Sequence, residues 1–168
     1  MVGIMQVERA VRQRRSIRKY SRRPLKNSDL CRILEAGRWA HSGLNNQPWK
    51  FKLIMDNRQK KGLAKFTRYS RIIEKAPTAL CVFLDKAVAY NREKDIMAVG
   101  ACIQNMLLQA YELGLGSCWL GEILNRRREA EKFLKIGQDY QLMAVITLGY
   151  GDERPDKPRR KSLKSLHL

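Results

Sequence analysis

Long apolar runs are missing from this chain: the longest, such as ALCVFL at 79–84, fall far short of the roughly 20 residues that a membrane-crossing helix needs. No membrane-spanning segment is expected. The opening residues MVGIMQVERAVRQRR hold no apolar stretch of secretory-signal length, and their charges follow their apolar residues, so the expected location is the cytoplasm. The four cysteines, Cys31, Cys81, Cys102 and Cys118, form no C-x-x-C pair and signal neither a zinc site nor a disulfide framework. They read as free thiols. Cys31, Cys81 and Cys102 lie in apolar segments as small core residues, whereas Cys118 lies beside a glycine-rich turn. The two histidines, His41 and His167, lack metal-ligand spacing, and no Ser-His-Asp arrangement can be assembled. Both nucleotide fingerprints are also missing, because the GLG at 114–116 follows a helical pattern and has neither a third glycine nor a G-K-[ST] ending. These absences point to chemistry borrowed from a cofactor.

Acidic residues are the other shortage. Sixteen Asp and Glu face 34 Lys and Arg, giving a net charge of +18. A field of that sign attracts nucleic acid, a membrane surface or a phosphorylated small molecule alike, and it also describes a merely solvated basic surface. A basic nucleic-acid-binding module is therefore an alternative to an enzyme. A chain of 168 residues suits one domain. We place that domain at 1–151 and read 152–168 as an arm belonging to it, because DERPDKPRRKSLKSLHL has no core-forming period. Such an arm packs most simply on a second copy of the chain. No internal repeat or low-complexity tract is present.

Within the domain, Ile4, Val7 and Val11 have helical spacing and lead into a basic cluster that Pro24 ends. NSDLCRILEAGRWA predicts an amphipathic helix capped by Asn27 or Ser28, with Leu30, Ile33, Leu34 and Gly37 on one face. WKFKLIM (49–55) reads as a strand, and 57–75 as a basic helical region broken by Pro77. TALCVFLD (78–85) reads as a strand buried on both faces. The longest helix runs from Glu93 to Leu113, with Ile96, Val99, Gly100, Ile103, Met106, Leu107 and Ala110 on its apolar face. A short strand at 117–120, a surface helix at 125–135 and a strong strand at 140–151 complete the domain.

Three stretches carry candidate chemistry. In RRSIRKY, Arg14, Arg15, Ser16 and Arg18 could grip a dianionic phosphate, or serve only the helix dipole and solvent. In AHSGLNNQPWKF, Ser42, Asn45, Asn46 and Gln47 offer both donors and acceptors, and Gly43 lets backbone approach a ligand. This set suits the edge of a flat heterocycle, or else satisfies its own loop backbone. In LGLGSCWLG, glycine density permits either ligand approach or a tight turn between helix and strand.

These stretches occur in order with AP before the buried strand, AVGACIQNMLLQAYELGLGSCWLG, and ITLGYG followed by KPRR. That order over nearly the whole chain resembles the nitroreductase family of FMN-dependent oxidoreductases. The resemblance implies an α+β fold with a central, mainly antiparallel sheet flanked by helices. It also implies an intertwined homodimer with exchanged C-terminal arms and one FMN in each of two sites at the subunit interface. Arg14, Arg15, Ser16 and Arg18 match the residues that hold the FMN phosphate and the pyrimidine edge of the flavin. Ser42, Asn45 and Gln47 resemble the family's P-S-x-x-N-x-Q-P-W, donated largely by the opposite subunit; His41 stands where the family usually has proline, and with Gly43 it is counted among the cofactor-binding positions. Trp119, Leu120 and Gly121 match the segment passing flavin N5, and Lys157, Arg159 and Arg160 match the basic residues that close on the phosphate. The implied activity is a ping-pong cycle with NADH or NADPH as hydride donor and a nitroaromatic, quinone or similar acceptor. No catalytic acid or base and no metal are implied. Reductive dehalogenation or other flavin chemistry on the same fold is the alternative.

Overall fold

The computed structural model describes residues 7–155 and 157–168; Ile4 of the first helical pattern and Asp156 of the arm lie outside them. Four strands, β1 (Trp49–Ile54), β2 (Thr78–Asp85), β3 (Gly116–Leu120) and β4 (Tyr140–Gly149), form an antiparallel sheet in the order β1-β2-β4-β3. The α+β class with a flanked antiparallel sheet is what the resemblance implies. Helices α1 (Val7–Gln13), α2 (Asn27–Arg38), α3 (Asn57–Ala64), α4 (Ser70–Lys75), α5 (Arg92–Glu112) and α6 (Arg127–Phe133) complete the element set.

Every residue of β2 is buried, because both faces of the sheet are covered. Leu80, Val82 and Leu84 pack with Ile33 of α2 and Val99, Ile103 and Met106 of α5. Their alternates Ala79, Cys81 and Phe83 pack with Leu63 of α3, Ile73 of α4 and Ala130 of α6. A register shift between Val82 and Phe83 reverses the alternation along β4. Leu142 therefore joins the α3/α4/α6 side while Ala144 and Ile146 join the α2/α5 side.

Four expectations change in detail. The N-cap of α2 is Lys26, not Asn27 or Ser28. The backbone at Lys26 is extended and its carbonyl accepts from the Asp29 and Leu30 N–H groups, at 3.1 and 3.2 Å. The 57–75 region divides into α3 and α4, and the 125–135 region is a 3-10 turn, Glu122–Arg126, followed by α6. Cys31 is exposed, because about 100° of helical rotation per residue carries it off the face that buries Leu30 and Ile33.

Cys81, Cys102 and Cys118 are buried. Burial pushes the Cys81 and Cys102 thiols up to about 12, which keeps them protonated and unreactive near neutrality. In the native protein a disulfide reagent is expected to modify Cys31 rapidly and the other three only after denaturation. A second fast thiol in the native titration would contradict this packing.

A basic cleft and a strained polar loop as the candidate active site

The segment after α1 is fastened along the edge of the sheet. The Ile17 N–H donates to the Ser117 carbonyl at 2.9 Å, extending a parallel bridge between Ser16 and Ser117. Gly116 allows this approach, since a Cβ there would lie 2.8 Å from Ile17. On the other side, the Ser21 N–H donates to the Tyr150 carbonyl and the Asp152 N–H to the Lys19 carbonyl, each at 2.9 Å. Tyr20 anchors the strip from below: its buried hydroxyl donates to the Ile17 carbonyl at 2.5 Å and pairs with Thr147 Oγ1 at 2.8 Å. Burial holds that phenol well above its usual range.

Arg14, Arg15, Ser16 and Arg18 thereby line one cleft of about 390 Å³, joined by Glu153, Arg154, Pro155 and Arg160 from the arm. The Arg14 Nε is buried without a hydrogen-bond partner among the described residues. Its guanidinium is held below the usual range first by burial, then by the charges of Arg15 and Arg160. Among the described residues none of these guanidinium groups forms a salt bridge, and a phosphate dianion supplies both the charge and the paired acceptors they need. The cleft fits the phosphate of FMN on that ground. The Cys118 thiol, raised by burial, also feels this corner through the charges of Arg18 and Arg14. Of the three arm residues expected here, Arg160 lines the cleft, while Lys157 and Arg159 are exposed outside its lining. Arg154 and Glu153 take part without having been expected.

From the cleft, β3 runs for roughly 15 Å to its far end. There Trp119 is 42% exposed, Leu120 is buried, and Gly121 is exposed. Strand alternation puts Cys118 and Leu120 into the core and turns Trp119 outward. The neighbouring Glu122 carboxylate accepts from Thr67 Oγ1 at 2.6 Å and from the Arg68 N–H at 3.0 Å, which lowers its pKa. Glu122 ties the α3–α4 turn to the end of β3.

Residues 41–47 form a loop with unusual backbone. Leu44, Asn45 and Gln47 all have positive φ, at 54, 52 and 48°. Such conformations cost on the order of 1–3 kcal/mol each and persist only where surroundings enforce them. The enforcing contacts are specific. Buried Ser42 accepts the Gln47 N–H on its Oγ at 3.0 Å, and Asn46 Nδ2 donates to Asp95 Oδ1 at 2.7 Å and to the Val88 carbonyl at 3.1 Å. Asp95, only 1% exposed, also accepts the N–H groups of Tyr90 and Asn91, each at 3.0 Å. Gly43 makes room for the Tyr90 hydroxyl, which lies 1.9 Å from where its Cβ would be. The loop therefore holds Asn45 and Gln47 outward, with His41 and Leu44 also exposed. Asp95 and Asn46 are the loop's lock. Asp95 shares the α5 face of Val99 and Cys102 at i, i+4 and i+7, a spacing that places an acid among buried residues.

Within one chain the loop and the cleft do not meet, as none of residues 41–47 lines the cleft. The structure brings Arg14, Arg15, Ser16, Arg18 and Arg160 together, leaves Trp119–Gly121 at the far end of β3, and presents Asn45 and Gln47 on a separate surface.

An antiparallel sheet between two helical layers, an arginine-lined cleft and an outward-facing polar loop make up this α+β protein. The chain belongs to the nitroreductase family, whose model matches residues 11–72 and 63–150. A protein from Desulfovibrio desulfuricans, assigned as a nitroreductase and solved in complex with FMN, is 41% identical. It superposes with a TM-score of 0.94 over 98% of this chain and 96% of its own. A protein of Archaeoglobus fulgidus assigned as an NADH dehydrogenase/NAD(P)H nitroreductase is 32% identical over 146 residues, which are 85% of this chain and 84% of its own. An iodotyrosine deiodinase of Thermotoga neapolitana is 28% identical over 176 residues, covering 89% and 91%.

Proposed function

We propose that this chain is an FMN-dependent oxidoreductase of the cytoplasm that takes hydride from NADH or NADPH and passes it to a nitroaromatic, quinone or similar acceptor by a ping-pong cycle. The observation that carries the reading is the crowding of Arg14, Arg15 and Arg160 around the cleft, with a buried Arg14 Nε that lacks a partner. The chemistry that bound FMN supplies is hydride uptake and release at its N5 position. The chain's part is to bind and orient: Arg14, Arg18, Ser16 and Arg160 hold the phosphate, and the β3 edge sets the direction from phosphate to ring. The backbone of Trp119–Gly121 borders the reacting face. Asn45 and Gln47 present hydrogen bonds to the ring edge, and their exposure in one chain supports a homodimer in which each loop serves the other subunit's cleft.

Subunit complementation tests this arrangement. An Arg14→Ala chain and an Asn45→Ala/Gln47→Ala chain, assayed with FMN kept too dilute for either alone to be active, are mixed through mild denaturation. If each site draws its cleft and loop from different chains, half of the dimers carry one intact site, and about a quarter of wild-type turnover is expected to return. No recovery would mean that cleft and loop act within one chain. The resemblance to a deiodinase supports a second reading, reductive dehalogenation on the same cofactor, and turnover of halogenated phenols against nitroaromatics separates the two.

A further inference from the structure

We propose that Glu153 is the latch that positions Arg160 over the cleft, a positioning residue and not a ligand; the inference rests on the cleft being the FMN phosphate site. Its Oε1 accepts from the Arg18 N–H at 2.5 Å and from the Lys19 N–H at 3.3 Å. The Asp152 N–H bond to the Lys19 carbonyl immediately precedes it. Beyond Glu153, among the described residues, no hydrogen bond joins the arm to the body. Among the described residues, the Arg160 guanidinium bonds only the neighbouring Arg159 carbonyl, at 2.8 Å. Yet Arg160 lines the cleft and its charge bears on Arg14. Two guanidinium groups repel, so an arm carrying Arg160 needs an opposing attachment to stay down. The Glu153 carboxylate provides it.

A carboxylate is an odd neighbour for a phosphate, because it repels the anion that the surrounding arginines attract. Its presence makes sense as an anchor. Charge strengthens its two bonds to backbone N–H groups, and the carboxylate lines the same cleft as Arg14, Arg15, Arg18 and Arg160 without an ion pair to any of them among the described residues. The cleft is then assembled with its last cation in place before any ligand arrives, which lowers the ordering cost at binding.

A double-mutant cycle on the full chain tests this, with FMN affinity from flavin fluorescence and trypsin cleavage of the arm followed without FMN. Arg160→Ala and Glu153→Ala are each expected to weaken FMN binding roughly 10- to 100-fold. Glu153→Ala/Arg160→Ala is expected to be no weaker than the worse single variant, since a latch has no effect once its cargo is gone. Glu153→Gln, whose amide oxygen accepts the same N–H groups, is expected to keep most of the affinity. Without FMN, trypsin cleavage after Arg159 and Arg160 is expected to accelerate at least tenfold in Glu153→Ala while the melting temperature of the body is unchanged. Additive losses in the double variant, or arm cleavage that Glu153→Ala leaves unaltered, would overturn the latch. If wild-type protein bound no FMN, the cofactor reading would fail, and the cleavage rates alone would still decide for or against the latch.

Discussion

Replacing Arg14 with Ala is expected to weaken FMN binding by roughly 100-fold, from the loss of a charge-assisted pair whose bonds contribute about 1.5–3 kcal/mol each. The control is Arg128→Ala, on the exposed face of α6, which is expected to change affinity less than threefold. Arg127 is a poorer control because its guanidinium lies against the Gln141 side-chain amide, which accepts from it at 2.9 Å once turned oxygen-first. The two losses separate a specific grip from the general field: a protein of net charge +18 scarcely changes its long-range attraction when one cation is removed. Equal losses would assign binding to net charge. Because Arg14 is crowded by Arg15 and Arg160 and lowered in pKa by its burial, the Arg14→Ala protein without FMN is expected to be no less stable than wild type. A residue that serves binding at no gain to folding is the pattern expected of a functional position.

Asp95→Ala is expected to act in the opposite way, lowering stability by about 3 kcal/mol. It leaves the Tyr90 and Asn91 N–H groups without their acceptor and the Asn46 amide with the Val88 carbonyl alone, and a buried donor left unpaired costs about 1–3 kcal/mol. The three left-handed residues of the loop then lose the contact that enforces them, so Asn45 and Gln47 are expected to leave their positions. Urea unfolding measures the first effect as a lower midpoint at unchanged slope. FMN affinity measures the second, and it is expected to fall even though Asp95 lies outside the cleft lining. A stable Asp95→Ala protein with wild-type affinity would show that the loop is held by other means.

The two residue types explain what was legible in the sequence. Arg14, Arg15, Ser16 and Arg18 are contiguous, so their joint role is visible as RRSIRKY before any fold is known. The continuous apolar run of β2 likewise announces a strand covered on both faces. Asp95 and Glu153 are not legible as site residues because their meaning comes from partners 49 and 135 positions away, brought near by sheet pairing and the return of the arm. Cys31 misleads for a local reason: its segment is apolar, but helical rotation, not segment composition, decides which side chain is buried. The arm is legible only in part. Its basic residues announce an anion site, but only the folded path of the arm shows that Arg154 and Arg160, and not Lys157 and Arg159, line it.

The most direct test mixes protein reconstituted with FMN, without oxygen, with NADH and separately with NADPH, and follows the visible absorbance of the flavin before and after adding a nitroaromatic. The expected result is bleaching by at least one nicotinamide, followed by full return of the oxidised bands on adding the acceptor, in two separable phases. A protein that stays colourless after reconstitution, or one whose flavin neither nicotinamide bleaches, would contradict the proposed function.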